Sequence, residues 1–422
     1  MLDRTIQPTL SPISSIHFVE PTIISINETT KLYWMREVLD ETTRIELHFN
    51  AGSIRSIEKI AGSVNSLLFS GTPTKTSIQI NEELDMLGAF IDQELGQEVA
   101  IVSLYCLRKN ADAAIDIVLD AIQHVCFHEQ EVQDNIREKK QQYLISSEKV
   151  SILARREFQK QLFANSPNYA RQIELKDYDA ITSAKLIEFH KEFYLKGLLK
   201  VVLVGNMEDA FVTNLQTKVT PFAIGQKPEY EKQFVNNKGG YHIEKSDAVQ
   251  TAIRIGMPLF NKSHADFIDF QLLQTILGDY FGSRLMSNIR EDKGYTYGIG
   301  SGLSEANQTG YFIIATEVGK EFVEPTLREI KIEIERLCNE LVDEEELTLV
   351  KNYVLGQLLK HADGPNAMMD LFMAVQLQGK GFEYYDTLMA RVNSITAEEL
   401  KTVANKYLIW KNLTIITAGS SN

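Results

Sequence analysis

The sequence predicts an α+β fold made of two homologous domains, each a mixed, mainly antiparallel sheet with helices packed on one face. Three observations carry this. The segments Ile181–Gly205 (ITSAKLIEFHKEFYLKGLLKVVLVG) and Ile395–Gly419 (ITAEELKTVANKYLIWKNLTIITAG) align without a gap at an offset of 214 residues, with Ile181, Thr182 and Leu186 meeting Ile395, Thr396 and Leu400. Short β-branched runs alternate with long helical patterns, the signature of helices layered on a sheet. The 422 residues are 44% hydrophobic and 24% charged, enough apolar material for a large core.

Taken in order, the opening stretch Met1–Pro8 has no apolar segment of the kind a secretory signal needs, and Pro8, Pro12 and Pro21 punctuate the first two dozen residues. A cytoplasmic location is expected. Arg44–Phe49 and Gln97–Cys106 read as strands. His128–Leu144 lies opposite Val342–Leu358 at the same offset, and both are acidic and then helical. The acidic run Asp343–Glu346 reads as a cap and first turn, where the helix dipole favours negative charge, and not as a metal site. Thr182 caps a helix that leads into the strand Lys200–Val204, as Thr396 does before Leu413–Thr417. Thr251–Ile255 and Tyr311–Thr316 complete the second set of strands. Prolines, asparagines and glycines between Pro221 and Gly240 mark a connection. The domains are therefore 1–215 and 241–422, joined by a linker over 216–240.

The formal charge of −14 repels phosphate backbones and anionic lipid, so neither nucleic acid nor membrane is expected as a partner. No stretch of about 18 apolar residues is present. Cys106, Cys126 and Cys338 are too few and too far apart for a disulfide framework, and read as thiols in a reducing compartment. There is no GxSxG elbow and no HExxH. Gly298-Ile-Gly300-Ser-Gly302 lacks the third glycine of a dinucleotide loop, and Gly319-Lys320 and Gly379-Lys380 lack the upstream glycine of a phosphate loop. His124 and His128 have the spacing of two zinc ligands on one helix face, but Val125 stands where a catalytic Glu is needed, and their repeat counterparts Cys338 and Val342 suit packing.

Two motifs resemble something specific. Leu67–Gly88 (LLFSGTPTKTSIQINEELDMLG) followed by AFIDQELGQEVAIVSLYC resembles the first domain of the insulinase/pitrilysin zinc peptidases, which are inverzincins. Ser283–Tyr297 (SRLMSNIREDKGYTY) resembles that family's second-domain motif, an Arg on a helix end and a Tyr seven residues on beyond a Gly. The resemblance covers most of the chain and implies its paired domains. In the family an HxxEH helix precedes the Phe-x-Gly-Thr turn. Here those positions are Gly62, Ser63, Val64, Asn65 and Ser66. Gly62 and Ser66 replace the two His ligands and Asn65 the general base. Glu138 remains on the later helix, but the third ligand position falls on Ile145. A zinc peptidase needs three ligands and a base, so this chain alone is expected to hold no zinc and to be inactive.

The resemblance also implies roles for the residues that are retained. Arg290 and Tyr297 support the transition state in a complex, as charged and neutral donors to the developing oxyanion. Asp92, Gln93 and Glu94 lie on a substrate-binding edge strand, with Glu98 beyond them, and the two acids favour basic peptides. The expected function is that of the non-zinc, Arg/Tyr-bearing subunit of an insulinase-family metallopeptidase, similar to the non-catalytic subunit of heterodimers of the mitochondrial processing peptidase kind. Zinc is expected only in the partner, which is an HxxEH-bearing homologous subunit, or a second copy if the chain pairs with itself. The alternative is a catalytically inactive peptide-binding or scaffold protein of the same fold.

Overall fold

A computed structural model describes residue 13 and residues 15–36, 39–56 and 60–420. The stretch Met1–Pro8, read above for its lack of an apolar segment, lies outside the described residues. The first sheet contains β1 (Thr22–Ser25), β2 (Lys31–Met35), β3 (Thr42–Phe49), β4 (Phe90–Leu95), β5 (Ala100–Leu107) and β6 (Leu198–Val204), in spatial order β1-β2-β6-β3-β5-β4. The second contains β7 (Gly239–Glu244), β8 (Gln250–Leu259), β9 (Ile299–Glu305), β10 (Gly310–Gly319) and β11 (Thr414–Gly419), in order β7-β11-β8-β10-β9. Apart from β1, the two orders correspond strand for strand. Even the parallel pair recurs, β2 with β6 and β7 with β11, while the other neighbours are antiparallel.

In the first half the helices are α1 (Ala61–Leu67), α2 (Ser77–Met86), α3 (Ala111–His124), α4 (Glu129–Ser147), α5 (Val150–Leu162), α6 (Pro167–Ala170), α7 (Ser183–Phe193) and α8 (Asp209–Val219). In the second they are α9 (Phe267–Gly278), α10 (Val323–Asn339), α11 (Glu344–His361), α12 (Pro365–Gln376), α13 (Glu383–Ser394) and α14 (Ala397–Tyr407). Thr182 and Thr396 cap α7 and α14, each accepting the N–H three residues on. The inward residues of β3, Ile45, Leu47 and Phe49, share a core with Ile115, Val118 and Ile122 of α3. In the second half α9 is apolar almost all round because it lies between the sheet and other helices, with Phe270 and Ile276 against Ile255 and Phe312.

The opposite face of each sheet takes one helix from the other half. From the first half, α5 lays Ala154, Phe158 and Leu162 on Ala252, Ile416 and Ala418 of the second sheet. Gly256 makes room for it, since a Cβ there would approach the Phe158 ring to 2.7 Å. From the second half, α12 returns the contact. Its Phe372 ring lies 6.0 Å from that of Tyr33, and Asp370 accepts from Arg44 at 2.7 Å. The constant offset relates α5 to α12, so the exchange is reciprocal.

Several expectations meet different local structure. The connection starts later than residue 216, because α8 continues to Val219 with Leu215 and Val219 buried in the first core. The connecting stretch is also anchored, with Phe234 buried 4.4 Å from the Phe163 ring. His124 and His128 do not share a helix face: α3 ends at His124, which meets Asp120 at 2.8 Å, and His128 stands before α4. Asp343 caps α11, and Glu346 pairs with Arg284 at 2.7 Å, a structural use of the acidic run. The three cysteines are free. Among the described residues no helix is long and apolar enough to cross a membrane.

Beneath α12 the first sheet buries a charged row. Glu46 accepts from His48 at 2.8 Å and lies 3.5 Å from Arg44, and Lys200 stands beside His48 in register. Burial pushes the Lys200 ammonium down to about 8, against the pull of Glu46. The unfolded chain then binds more protons than the folded one between that value and the ordinary lysine range, so Lys200 makes stability rise with pH across this window. Denaturant unfolding at stepped pH is expected to show this rise in the wild type relative to Lys200→Met; identical pH profiles would refute it.

The exchange of α5 and α12 predicts that the halves unfold together. The chain has two tryptophans, Trp34 in β2 and Trp410 in the second half. Single-tryptophan variants, Trp34→Phe and Trp410→Phe, are expected to report coincident transitions. Phe158→Ala should lower stability by about 3–5 kcal/mol on both reporters, through the lost ring and the cavity it leaves. A shift seen by one reporter alone would show that the halves are independent.

Candidate functional site

The turn that follows α1 is built by its own side chains. Gly71 has φ +145, and its carbonyl accepts the Cys126 N–H at 2.9 Å. The Thr72 hydroxyl accepts the N–H of Lys75 at 3.1 Å, and Thr76 forms a capping box with Gln79 that starts α2. This ties α1, the helix carrying Gly62, Asn65 and Ser66, beside the edge strand β4.

On α1, Asn65 is buried, and its side-chain oxygen accepts from the Tyr194 hydroxyl at 3.1 Å. It serves as a packing anchor. Ser66 turns back on its own helix, donating to the Gly62 carbonyl at 2.8 Å. The α4 residue that turns to α1 is Lys139, whose Nζ donates to Ser66 Oγ at 3.0 Å and lies 4.0 Å from where a Cβ on Gly62 would be. An ammonium therefore stands between the two positions expected to have lost zinc ligands. Burial holds it below the ordinary lysine range, with Glu138 pulling the other way. Ile145 does not reach this place: it is 58% exposed further along α4, and Glu138 accepts from Gln142 at 2.8 Å. Lys139, Tyr194 and the orphaned hydroxyl of Ser63 are the residues that sequence reasoning missed. A lysine on the buried side of α4 was the one signal available for them.

Zinc does not suit this donor set. A glycine, a serine already bonded to its own helix, an amide engaged by Tyr194 and a fixed cation offer no anionic or imidazole ligand. Among the described residues no cluster of three His, Cys, Asp or Glu side chains is placed to hold a metal.

β4 is the outer strand of its sheet, and its residues alternate. Asp92 and Glu94 are exposed. Gln93 points inward and donates through Nε2 to the Asn65 carbonyl, so it braces the edge against α1 and is not free to meet a ligand. Glu98, in the turn to β5, accepts from the Tyr169 hydroxyl at 2.6 Å and from the Asn307 N–H at 3.0 Å. It clasps the first edge hairpin to the turn between β9 and β10. Burial raises its carboxyl above the usual range despite both donors.

Arg290 lies in a π-helical turn, Met286–Asp292, a form often found at functional sites. Its guanidinium sits 4.7 Å over the Phe281 ring, and among the described residues it has no carboxylate partner. Gly294, at φ +66, reverses the chain. The Thr296 hydroxyl then fixes the loop by donating to the Glu317 carbonyl at 2.7 Å and accepting the Gly298 N–H at 3.1 Å. Tyr297 stands between these ties with 94% of its surface exposed. Tyr297 thus faces solvent, while Arg290 is half-buried.

An outer strand beside a broken metal helix, with an Arg/Tyr loop in a second domain of the same topology, defines a degenerate inverzincin-type peptidase. The chain belongs to the insulinase/pitrilysin family. Residues 36–167 match the profile described as insulinase (peptidase family M16), and residues 180–354 match the peptidase M16 inactive domain. An uncharacterized zinc protease of Rickettsia felis is 26% identical over 362 residues, covering 83% of this chain and 85% of that protein. The uncharacterized zinc protease YmxG of Bacillus subtilis is 20% identical, covering 83% and 86%. A crystal structure of a peptidase M16 inactive domain from Pseudomonas fluorescens superposes with a TM-score of 0.85 at 23% identity, covering 96% of this chain and 99% of that one. A protease from Helicobacter pylori gives 0.81 at 14%, covering 94% and 99%. These two structures share the fold.

Metal analysis of the purified chain is expected to find well under one zinc per chain. Asn65→Glu alone should leave that unchanged, because Gly62, Ser66 and Lys139 remain. One tightly held equivalent at α1 would overturn the reading.

Proposed function

We propose that the chain is the non-zinc subunit of an insulinase-family metallopeptidase, lending peptide binding and transition-state support to a zinc-bearing partner. The observation that carries this is Tyr297, an aromatic donor held almost wholly in solvent by a loop that Thr296 ties down, seven residues along the chain from Arg290, which has no carboxylate partner among the described residues. Ordering a loop that carries its aromatic ring in solvent costs conformational entropy without the return of burying that ring. A surface approached by another chain gives that order a use. Zinc, on this reading, belongs to the partner, where an HxxEH helix supplies the ligands and the base.

In such a complex the peptide adds to the free edge of β4, where backbone groups give affinity and the exposed Asp92 and Glu94 favour basic residues. Arg290 and Tyr297 donate to the carbonyl oxygen as it gains charge, a task that strengthens only in the transition state. The second reading is a catalytically inactive peptide-binding or scaffold protein of the same fold; its scaffold form is favoured by Gln93 being committed to α1 and not free to meet a ligand.

The test mixes an HxxEH-bearing homologue with wild-type chain, Tyr297→Phe or Arg290→Ala and follows peptide cleavage. Either change is expected to lower kcat about a hundred- to thousand-fold with little change in KM. Stability should hardly move for Tyr297→Phe, since Tyr297 is almost fully exposed. Equal rates for all three proteins would favour the scaffold reading.

A further inference from the structure

Behind α1 lies a cavity of about 420 Å³ shared by the degenerate helix, α4 and α5. Its walls include Gly62, Ser63, Leu95, Lys139, Arg155 and Gln159. In a chain of net charge −14 this is a basic hollow. Among the described residues neither Lys139 nor Arg155 has a carboxylate within ion-pair distance; the acid Lys139 feels, Glu138, is bonded to Gln142. A third cation on the wall, Arg171, is already paired with Asp177 at 2.7 Å. Ser63 adds an independent sign. It is 2% exposed, lines the cavity, and its hydroxyl has no hydrogen-bond partner among the described residues. A buried, unpaired hydroxyl costs stability unless something fills the site and bonds to it. A half-buried ammonium without an anion carries a smaller cost of the same kind.

We propose that this cavity, formed where the family's metal helix has lost its ligands, binds the carboxylate of a peptide, with Lys139 and Arg155 as the cations and the Ser63 hydroxyl as a further donor. The inference rests on the peptide-binding reading of β4 and deepens it. Leu95, the last residue of β4, is itself a cavity wall, as is Gln97 in the turn to β5. A peptide laid along the β4 edge therefore has one end at the mouth of the hollow, where a charged carboxylate meets a partly desolvated ammonium. Charge-assisted hydrogen bonds of this kind are the strong ones. Burial, which holds the Lys139 ammonium below its usual range, makes an incoming anion more favourable still. The carboxylate is the C-terminal group or an Asp or Glu side chain; both present the same oxygens.

The test uses the full chain and fluorescence anisotropy. The probe is a fluorescein-labelled octapeptide rich in Val, Thr and Lys, suited to an edge with Asp92 and Glu94, made with a free C-terminal carboxylate, as the C-terminal amide, and as the amide ending in Glu. The free-acid peptide is expected to bind about tenfold more tightly than the plain amide, a difference typical of one charge-assisted contact. The Glu-ending amide distinguishes the two sources, by recovering the gain or failing to. Lys139→Met should abolish the difference between acid and amide, and Arg155→Met, at an exposed position, should reduce it without disturbing the fold. Equal binding of all three peptides overturns the proposal while leaving peptide addition at β4 intact. Binding of none overturns it as well, whereas the partner role of Tyr297 and Arg290 is read separately, in the cleavage assay.

Discussion

The structure depends on one geometrical constraint: a sheet covered by helices on one face still has a second face to bury. Each half solves this with a helix of the other, α5 on the second sheet and α12 on the first. The exchange brings α1 of one half and α5, which spans the boundary, to the walls of one cavity. It also sets the turns of the two edge hairpins close enough for Glu98 to join them. Neither half is a complete layer structure, so the position of every residue in the candidate site depends on the packing of these two helices.

Much of the fold was legible because the repeat is carried by residues whose local physics is strong. Thr182 and Thr396 cap their helices, Gly71 and Thr72 make their turn, and runs such as Val201–Val204 are buried on both sides. The parallel pairing of β2 with β6 was not legible, since β2 is short and its partner lies far along the chain. The single strand read across Gln97–Cys106 proved to be preceded by a tight turn with β4, whose alternating exposed and half-buried residues carry little apolar signal. The exchange of α5 and α12 could not be read at all: an amphipathic helix announces that it has an apolar face, not which sheet receives it.

The site was legible in what it lacks and illegible in what replaced it. Substitution of His and Glu positions by Gly62, Asn65 and Ser66 is visible in the letters. That Lys139 would come to stand among them depends on the angle between α1 and α4. Gln93, expected to face a ligand, turned inward because β4 alternates and Asn65 offers a carbonyl at that register. The exposure of Tyr297 was not legible either, since it depends on how the Thr296 hydroxyl ties its loop to the Glu317 carbonyl. Two cations, Lys139 and Arg155, come to line the cavity between α1, α4 and α5.

The ammonium of Lys139 differs from a bound ion in one respect that matters outside the molecule. A metal arrives from a pool, leaves at some rate, and can be stripped or replaced by a tighter-binding competitor. A cation on a four-carbon tether does none of these. The positive charge in this helix pair is made when the polypeptide is made, and it depends on no delivery. A chain so built presents the same charge at this helix pair whether metal is plentiful or scarce.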